Sequence, residues 1–147
     1  MVGRARTVRC RDDFLTVIKA LEESEPGEVL VIDGGGGTRA LAGELFATEA
    51  ARRKLAGIVI DGACRDTPKL ATLQLPVYAR WVCPAAGTAQ RLGATQQAVS
   101  CGGVAATGSS SSPRRSCSPW WSEPRRCSAP RRRSCGAWSG ASACSTC

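Results

Sequence analysis

The chain has 147 residues, room for one domain and little more. It contains no His, which excludes Ser-His-Asp hydrolases, Cys-His proteases, His-Glu-x-x-His metalloproteases and zinc fingers with His ligands. The net charge of +8 is uneven: residues 1–104 carry 13 basic and 11 acidic groups, whereas residues 105–147 carry 7 Arg, 1 Glu and no Val, Ile, Leu, Met or Phe, so any core must come from the first part.

In chain order, GRARTVR at 3–9 alternates small or apolar with charged residues and predicts a strand with one wet face. Asp12 and Asp13 suit the N-terminus of a helix over 14–23, with Phe14, Leu15, Ile18 and Leu21 at helical spacing, and Pro26-Gly27 breaks it. GEVLVID is a short apolar run, as expected of a strand covered on both faces. Four glycines, Gly34 to Gly37, follow at once. Thr38 is placed to cap a helix through RALAGELFATEAARRKL that ends near Gly57. GIVID predicts a second buried strand and GACRD the loop after it. Pro68 suits the first turn of a short helix, Pro76 opens a third strand, PVYARWV, and Gln96 to Val104 has a weaker strand pattern cut by Gly102-Gly103. Leu30, Val31, Ile32, Ile58, Val59, Ile60, Val77 and Tyr78 are expected on central strands.

Strands and helices alternate from Pro26 to Val82, which predicts an α/β fold with at least three parallel strands. Open α/β sheets bind ligands at the carboxyl ends of their strands, and the loops there hold Asp33, the glycines, Asp61, Arg65 and Asp66. GGGTRA fits the outline G-x-G-x-x-A of a dinucleotide fingerprint, but Asp33 would face the pyrophosphate and the chain is short for two nucleotide-binding halves. Two other readings stand beside it: a turn needing positive φ, and a small carboxylate- or phosphate-bearing ligand on exposed backbone N–H groups.

Glu44, twenty intervening residues and Arg65-Asp66 return the chain to the same sheet edge after one helix and one strand. A carboxylate can hold a hard divalent cation that keeps water and substrate as its other ligands, and a neighbouring guanidinium can clamp a carboxylate. These are parts suited to a 2-oxo acid. On these residues, GEVLVIDGGGGTRALAGELFATEAARRKLAGIVIDGACRD resembles the RraA-like family, which includes 4-hydroxy-4-methyl-2-oxoglutarate aldolases, also oxaloacetate decarboxylases, and regulators of ribonuclease activity. The resemblance runs from about Val2 to Val104 and implies an α/β, layered domain of the swivelling β/β/α type, incomplete at both ends. It implies that Asp66 binds a divalent metal, Mg2+ or Mn2+. Arg65 would hold the pyruvate moiety and stabilise its enolate, and Glu44 would orient a water. Gly43, Glu44, Leu45 and Phe46 would contact the substrate carboxylate through backbone groups. The ribonuclease-regulator branch generally lacks the Asp at the metal position, so Asp66 favours the aldolase branch. The alternative is a non-catalytic regulator that binds and inhibits a ribonuclease.

The resemblance also implies a homotrimer or dimer of trimers with the site at the subunit interface. No run of 18 apolar residues and no N-terminal apolar h-region occur, so a cytoplasmic chain with no membrane span is expected. Cys10, Cys64, Cys83 and Cys101 are then expected as free thiols, and Cys144-x-x-Cys147 is a lone pair, too little for a closed zinc site. Residues 105–147, with 12 Ser and 5 Cys, form an Arg/Ser/Cys-rich segment with three open readings. It is a nucleic-acid-binding tail with Trp120, Trp121 and Trp138 for stacking, a solvated disordered extension, or a stretch translated out of frame. Nucleic acid is expected, if at all, only through that segment.

Overall fold

The computed structural model describes residues 1–108. The expectations for the Arg-rich segment, including Trp120, Trp121, Trp138 and the C-x-x-C pair, therefore lie almost wholly outside the described residues. The elements are β1 (Ala5–Arg9), α1 (Leu15–Glu22), β2 (Val29–Asp33), β3 (Ala40–Ala42), α2 (Glu44–Arg52), β4 (Gly57–Cys64), α3 (Thr67–Leu70), β5 (Val77–Val82), β6 (Val99–Cys101) and β7 (Val104–Ala106). Among the described residues no helix is long and apolar enough to cross a membrane.

Five strands form one parallel sheet with β4 at its centre. One edge of β4 pairs with β5 along its length; the other pairs with β2 at Gly57 to Asp61 and then with β3 at Ala63 and Cys64. β2 and β3 thus lie end to end along a single edge, joined by the glycine turn. All five residues of β2 are buried because both faces are covered, as its unbroken apolar run predicts. Leu30, Ile32, Ile58 and Ile60 face the helices, with Val17, Ala20 and Leu21 of α1 and Ala47 and Ala50 of α2. Val29, Val31 and Val59 face the antiparallel β6–β7 hairpin through Val99 and Cys101. Hairpin, sheet and helices are the three layers of the β/β/α arrangement. Strand alternation alone sorts these side chains between two cores.

Five expectations need correction. The helix expected from Thr38 onward begins only at Glu44, because Ala40–Ala42 is taken up as a strand between β4 and the segment around Ala86. β4 runs through Cys64, so only Arg65 and Asp66 of GACRD lie in a loop. α1 buries Thr16, Val17, Ala20 and Leu21, while Ile18 is 42% exposed, a rotation of the expected apolar stripe. Val77 and Tyr78 belong to β5, an edge strand exposed over most of its length, rather than to a central strand. β7 also carries the hairpin to Ala106, two residues past the expected boundary at Val104.

The stretch from Cys83 to Ala98, where a strand pattern was expected only from Gln96 on, is a belt across the carboxyl end of the sheet; the strand itself starts at Val99. It donates from Cys83 to the Cys64 carbonyl (2.9 Å) and flanks Ala40. It then passes α1 and runs antiparallel beside β1, where the Gln96 N–H donates to the Thr7 carbonyl (2.8 Å). The outer edge of β1 is thereby covered, which removes one site for edge-to-edge association.

Candidate functional site

The glycine turn resolves first. The N–H groups of Gly34 and Gly36 both donate to the Asp61 carbonyl (3.1 and 3.0 Å), that of Gly37 donates to the Gly34 carbonyl (3.2 Å), and that of Gly35 donates to Asp33 Oδ1 (3.0 Å). All four donors are spent inside the fold, so the expected anion-binding cradle is absent, and the chain leaves the turn into β3 rather than into a helix. Both requirements of the dinucleotide fingerprint fail. Gly35 and Gly36 adopt φ of 62° and 71°, and a Cβ on Gly34 would meet Leu41 Cδ1 at 2.5 Å and the Asp61 carbonyl oxygen at 2.9 Å. The glycines serve the turn.

Asp33 and Asp61 face each other across β2 and β4 in register. Each is buried and partnered: Asp33 accepts from Gly35, from Ser100 N–H (3.4 Å) and from Arg9 Nε (3.4 Å). Asp61 accepts from the Gly102 N–H (2.9 Å) and pairs with Arg80. They tie the hairpin to the sheet.

A second group of residues gathers where β3 and β4 end. Between Ile60 and Ala63 β4 spends one residue more than β5 does, a bulge at Asp61-Gly62, and bulges often re-aim chains beside functional sites. The chain then delivers Arg65, whose N–H donates to the Ala42 carbonyl (3.1 Å), and Asp66. Asp66 has φ 59° and ψ 34°, a left-handed conformation costing about 1–2 kcal/mol that Asp tolerates better than most residues, and it precedes α3. On the facing edge, Gly43 ends β3 and starts α2. The Glu44 N–H donates to Asp66 Oδ2 (3.2 Å), and Arg65 Nε lies 3.5 Å from the same oxygen. A Cβ on Gly43 would stand 2.6 Å from Asp66 Oδ2 and 2.8 Å from Arg65 Cγ, so only glycine leaves room for both side chains.

The structure therefore brings Gly43, the Glu44 backbone, Arg65 and Asp66 together, each of the two side chains about 40% exposed. Among the described residues the Glu44 carboxylate has no ion pair or hydrogen bond, at a helix N-terminus that favours a negative charge. The side chains of Leu45 and Phe46 do not join the cluster: Leu45 is 77% exposed, and Phe46 packs on Phe14 with ring centroids 5.6 Å apart. Their N–H groups, in the first turn of α2, are donors that no helical carbonyl reaches. Among the described residues no group of three or more His, Cys, Asp or Glu forms a protein cage for a metal. The donor set instead suits a hydrated hard cation: among the described residues one oxygen of the half-exposed Asp66 carboxylate is engaged and the other has no hydrogen bond or ion pair.

One residue had a larger structural part than its sequence context indicates. Asp13, read as a favourable helix-start charge, is buried and accepts from Leu15 N–H (2.9 Å), Thr88 Oγ1 (2.7 Å), Gln90 N–H (2.7 Å) and Arg91 N–H (3.1 Å). Nothing near Asp13 in sequence marks residues 88–91 as its partners.

With fold and site described, comparison with known proteins defines the class. The Aldolase/RraA profile of the RraA-like family matches residues 1–109, and the chain belongs to that family. It is similar to a 4-hydroxy-4-methyl-2-oxoglutarate aldolase of Thermus thermophilus, 44% identical over 78 residues covering 52% of this chain and 48% of that protein. It is also similar to a Halalkalibacterium halodurans protein provisionally named for the same activity, 42% identical over 106 residues covering 71% of this chain and 50% of that protein. Among solved structures, the RNA-processing inhibitor RraA from Thermus thermophilus superposes with a TM-score of 0.69 at 36% identity, over 72% of this chain and 65% of that one. The chain spans about half the length of these curated relatives.

Proposed function

We propose that this chain carries the residues of a divalent-metal-dependent aldolase that cleaves 4-hydroxy-4-methyl-2-oxoglutarate-type acids to pyruvate and decarboxylates oxaloacetate. The observation that carries this reading is the Gly43-Arg65-Asp66 cluster, with Glu44 at its rim, in a chain whose curated relatives bear aldolase names. Asp66 would hold Mg2+ or Mn2+, and the cation when bound supplies Lewis-acid polarisation of the 2-oxo carbonyl. Arg65 binds the substrate carboxylate through its planar fork and stabilises the negative charge that builds on the pyruvate fragment. The N–H groups of Leu45 and Phe46 add donors for that carboxylate. Retro-aldol cleavage needs a base for the substrate hydroxyl, and with no His in the chain the Glu44 carboxylate, directly or through a water it orients, takes that proton.

The test is release of pyruvate from 4-hydroxy-4-methyl-2-oxoglutarate and from oxaloacetate, coupled to lactate dehydrogenase, with Mg2+ or Mn2+ and with a chelator. Turnover that survives Asp66→Ala and Arg65→Ala unchanged overturns the assigned roles. A second reading, a regulator that binds a ribonuclease, is favoured by the likeness to the RNA-processing inhibitor RraA. Its mark is binding to an RNA-degrading enzyme that persists with the chelator. Assembly as a homotrimer and residence in the cytoplasm belong to the same proposal. None of the roles assigned above falls on residues 105–147; reading the two other frames after the Val104 codon tests whether that segment replaces a family-like continuation.

A further inference from the structure

We infer that Asp13 is a positioning residue: it clamps the 83–98 belt onto the sheet, and the belt in turn holds β3, and with it Gly43, against Arg65 and Asp66. β3 has only three residues, and its own pairing with β4 is limited to Ala63 and Cys64. Its other flank is the belt. The Ala40 N–H donates to the Ala85 carbonyl (2.8 Å), and the Gly87 N–H donates back to the Ala40 carbonyl (2.9 Å). One residue on, the Thr88 N–H donates to the Asp12 carbonyl (2.8 Å) and the Phe14 N–H donates to the Thr88 carbonyl (2.8 Å). Asp13 closes this junction. Its Oδ2 takes the Thr88 hydroxyl and the Gln90 and Arg91 N–H groups, and its Oδ1 takes the Leu15 N–H.

Four donors converge on one carboxylate, about the full acceptor capacity of an ionised Asp. That explains why an acid is needed. An Asn of the same shape would turn its NH2 toward a donor at one oxygen position or the other and leave that pair unsatisfied. It also separates the clamp from helix capping, because only the Leu15 bond serves α1. At the far end of β3, the Ala42 carbonyl accepts the Arg65 N–H, and Gly43 packs under Arg65 and Asp66. A continuous run of backbone bonds therefore joins Asp13 to the site without Asp13 touching it. The effect on turnover rests on the aldolase reading above; the effect on β3 does not.

The experiment is residue-resolved amide hydrogen exchange of the full chain as wild type, Asp13→Asn and Thr88→Val, followed by pyruvate-release kinetics. Asp13→Asn is expected to speed exchange at Ala40, Gly87 and Arg65 by about tenfold or more while Leu30 to Ile32 keep their protection. Thr88→Val, which leaves the Leu15 bond intact, is expected to move the same amides by less, and it carries the test if Asp13→Asn does not fold. The kcat values should fall in the same order. Unchanged protection at Ala40 and Arg65 in Thr88→Val and in any folded Asp13→Asn overturns the clamp, even if Gln90 and Arg91 open. Opened amides with kcat unchanged in an active wild type overturn the positioning role. Opened amides in a chain that releases no pyruvate at all support the clamp and sink the aldolase reading instead.

Discussion

The glycine turn at 34–37 and the single Gly43 lie at the ends of neighbouring strand segments on one edge of β4, and they do opposite things. In the turn, four glycines present four N–H groups, and every one is consumed by Asp61, Asp33 or the turn itself. At Gly43 the missing side chain is space taken by Arg65 and Asp66, with helix-start donors around it and, among the described residues, one carboxylate oxygen of Asp66 unpaired. Glycine abundance therefore marks chain geometry at one place and chemistry at the other. What separates them is whether the polar groups are satisfied within the fold.

The comparison breaks if the open end proves inert. Asp66→Ala and Arg65→Ala should each lower pyruvate formation by about 10²–10³-fold, the usual loss when a group that stabilises developing charge is removed. Arg65→Lys should recover little, since an ammonium cannot grip a carboxylate bidentately. Gly43→Ala and Gly34→Ala sharpen the contrast. The new Cβ on Gly43 meets Asp66 Oδ2 and Arg65 Cγ, side-chain atoms that must shift but are not backbone, so stability should fall less than in Gly34→Ala while turnover drops about tenfold or more, because a displacement of about 1 Å can cost two orders of magnitude. The new Cβ on Gly34 meets the Asp61 backbone and Leu41, which cannot move cheaply, so it should cost about 1–3 kcal/mol in urea unfolding.

The parts of this fold legible in the sequence were those with a local cause. β2 and the first half of β4 are read from unbroken apolar runs, α3 from Pro68, and the Arg65-Asp66 loop from its place after a buried strand. β3 was not legible, because Ala40, Leu41 and Ala42 have ordinary helix propensity and become a strand only when β4 and the belt offer two edges. The belt itself carries no periodicity; its bonds run to Asp12, Asp13, Thr7 and Ala40, all far away in sequence. Glu44, Arg65 and Asp66 are legible through spacing and family resemblance, whereas Gly43's steric part depends on contacts with Arg65 and Asp66 that only the fold creates.

Acid should probe the satisfied side next. Burial works against an ionised Asp13, but its hydrogen bonds from Gln90, Leu15, Thr88 and Arg91 prevail and hold it at about 2, below its ordinary 3.8. Hydrogen bonds from Arg52 and then Arg53 hold Glu49 at about 2 against an ordinary 4.5. Both folded values lie below the unfolded ones, so the stabilisation is present above pH about 5 and is lost as pH falls from about 4 toward 2. Urea midpoints measured across that window should decline, and Asp13→Asn, less stable at neutral pH, should show a shallower decline. An equally steep acid limb in that variant would show that the clamp's carboxylate is not held down.

The smallest expected effect concerns thiols and asks how far the opening at the site extends into the sheet. Burial, then Asp13 and Asp33, push the Cys10 thiol up to about 12, and burial foremost, with Asp66 adding, raises Cys64. Both shifts disfavour the thiolate, which is the form that reacts. Cys83, where the belt begins, is only partly buried. Iodoacetamide labelling of the folded chain, followed peptide by peptide by mass spectrometry, should therefore modify Cys83 well before Cys10 or Cys64. Cys64 directly precedes Arg65, so its labelling rate reports opening of the last residues of β4 under the site. Cys64 labelling as fast as Cys83, with Cys10 still protected, would mean that the site end opens independently of the glycine-turn end. Joint protection of Cys10 and Cys64 would mean that the exposed groups of the site stand on a sheet as closed as the turn beside it.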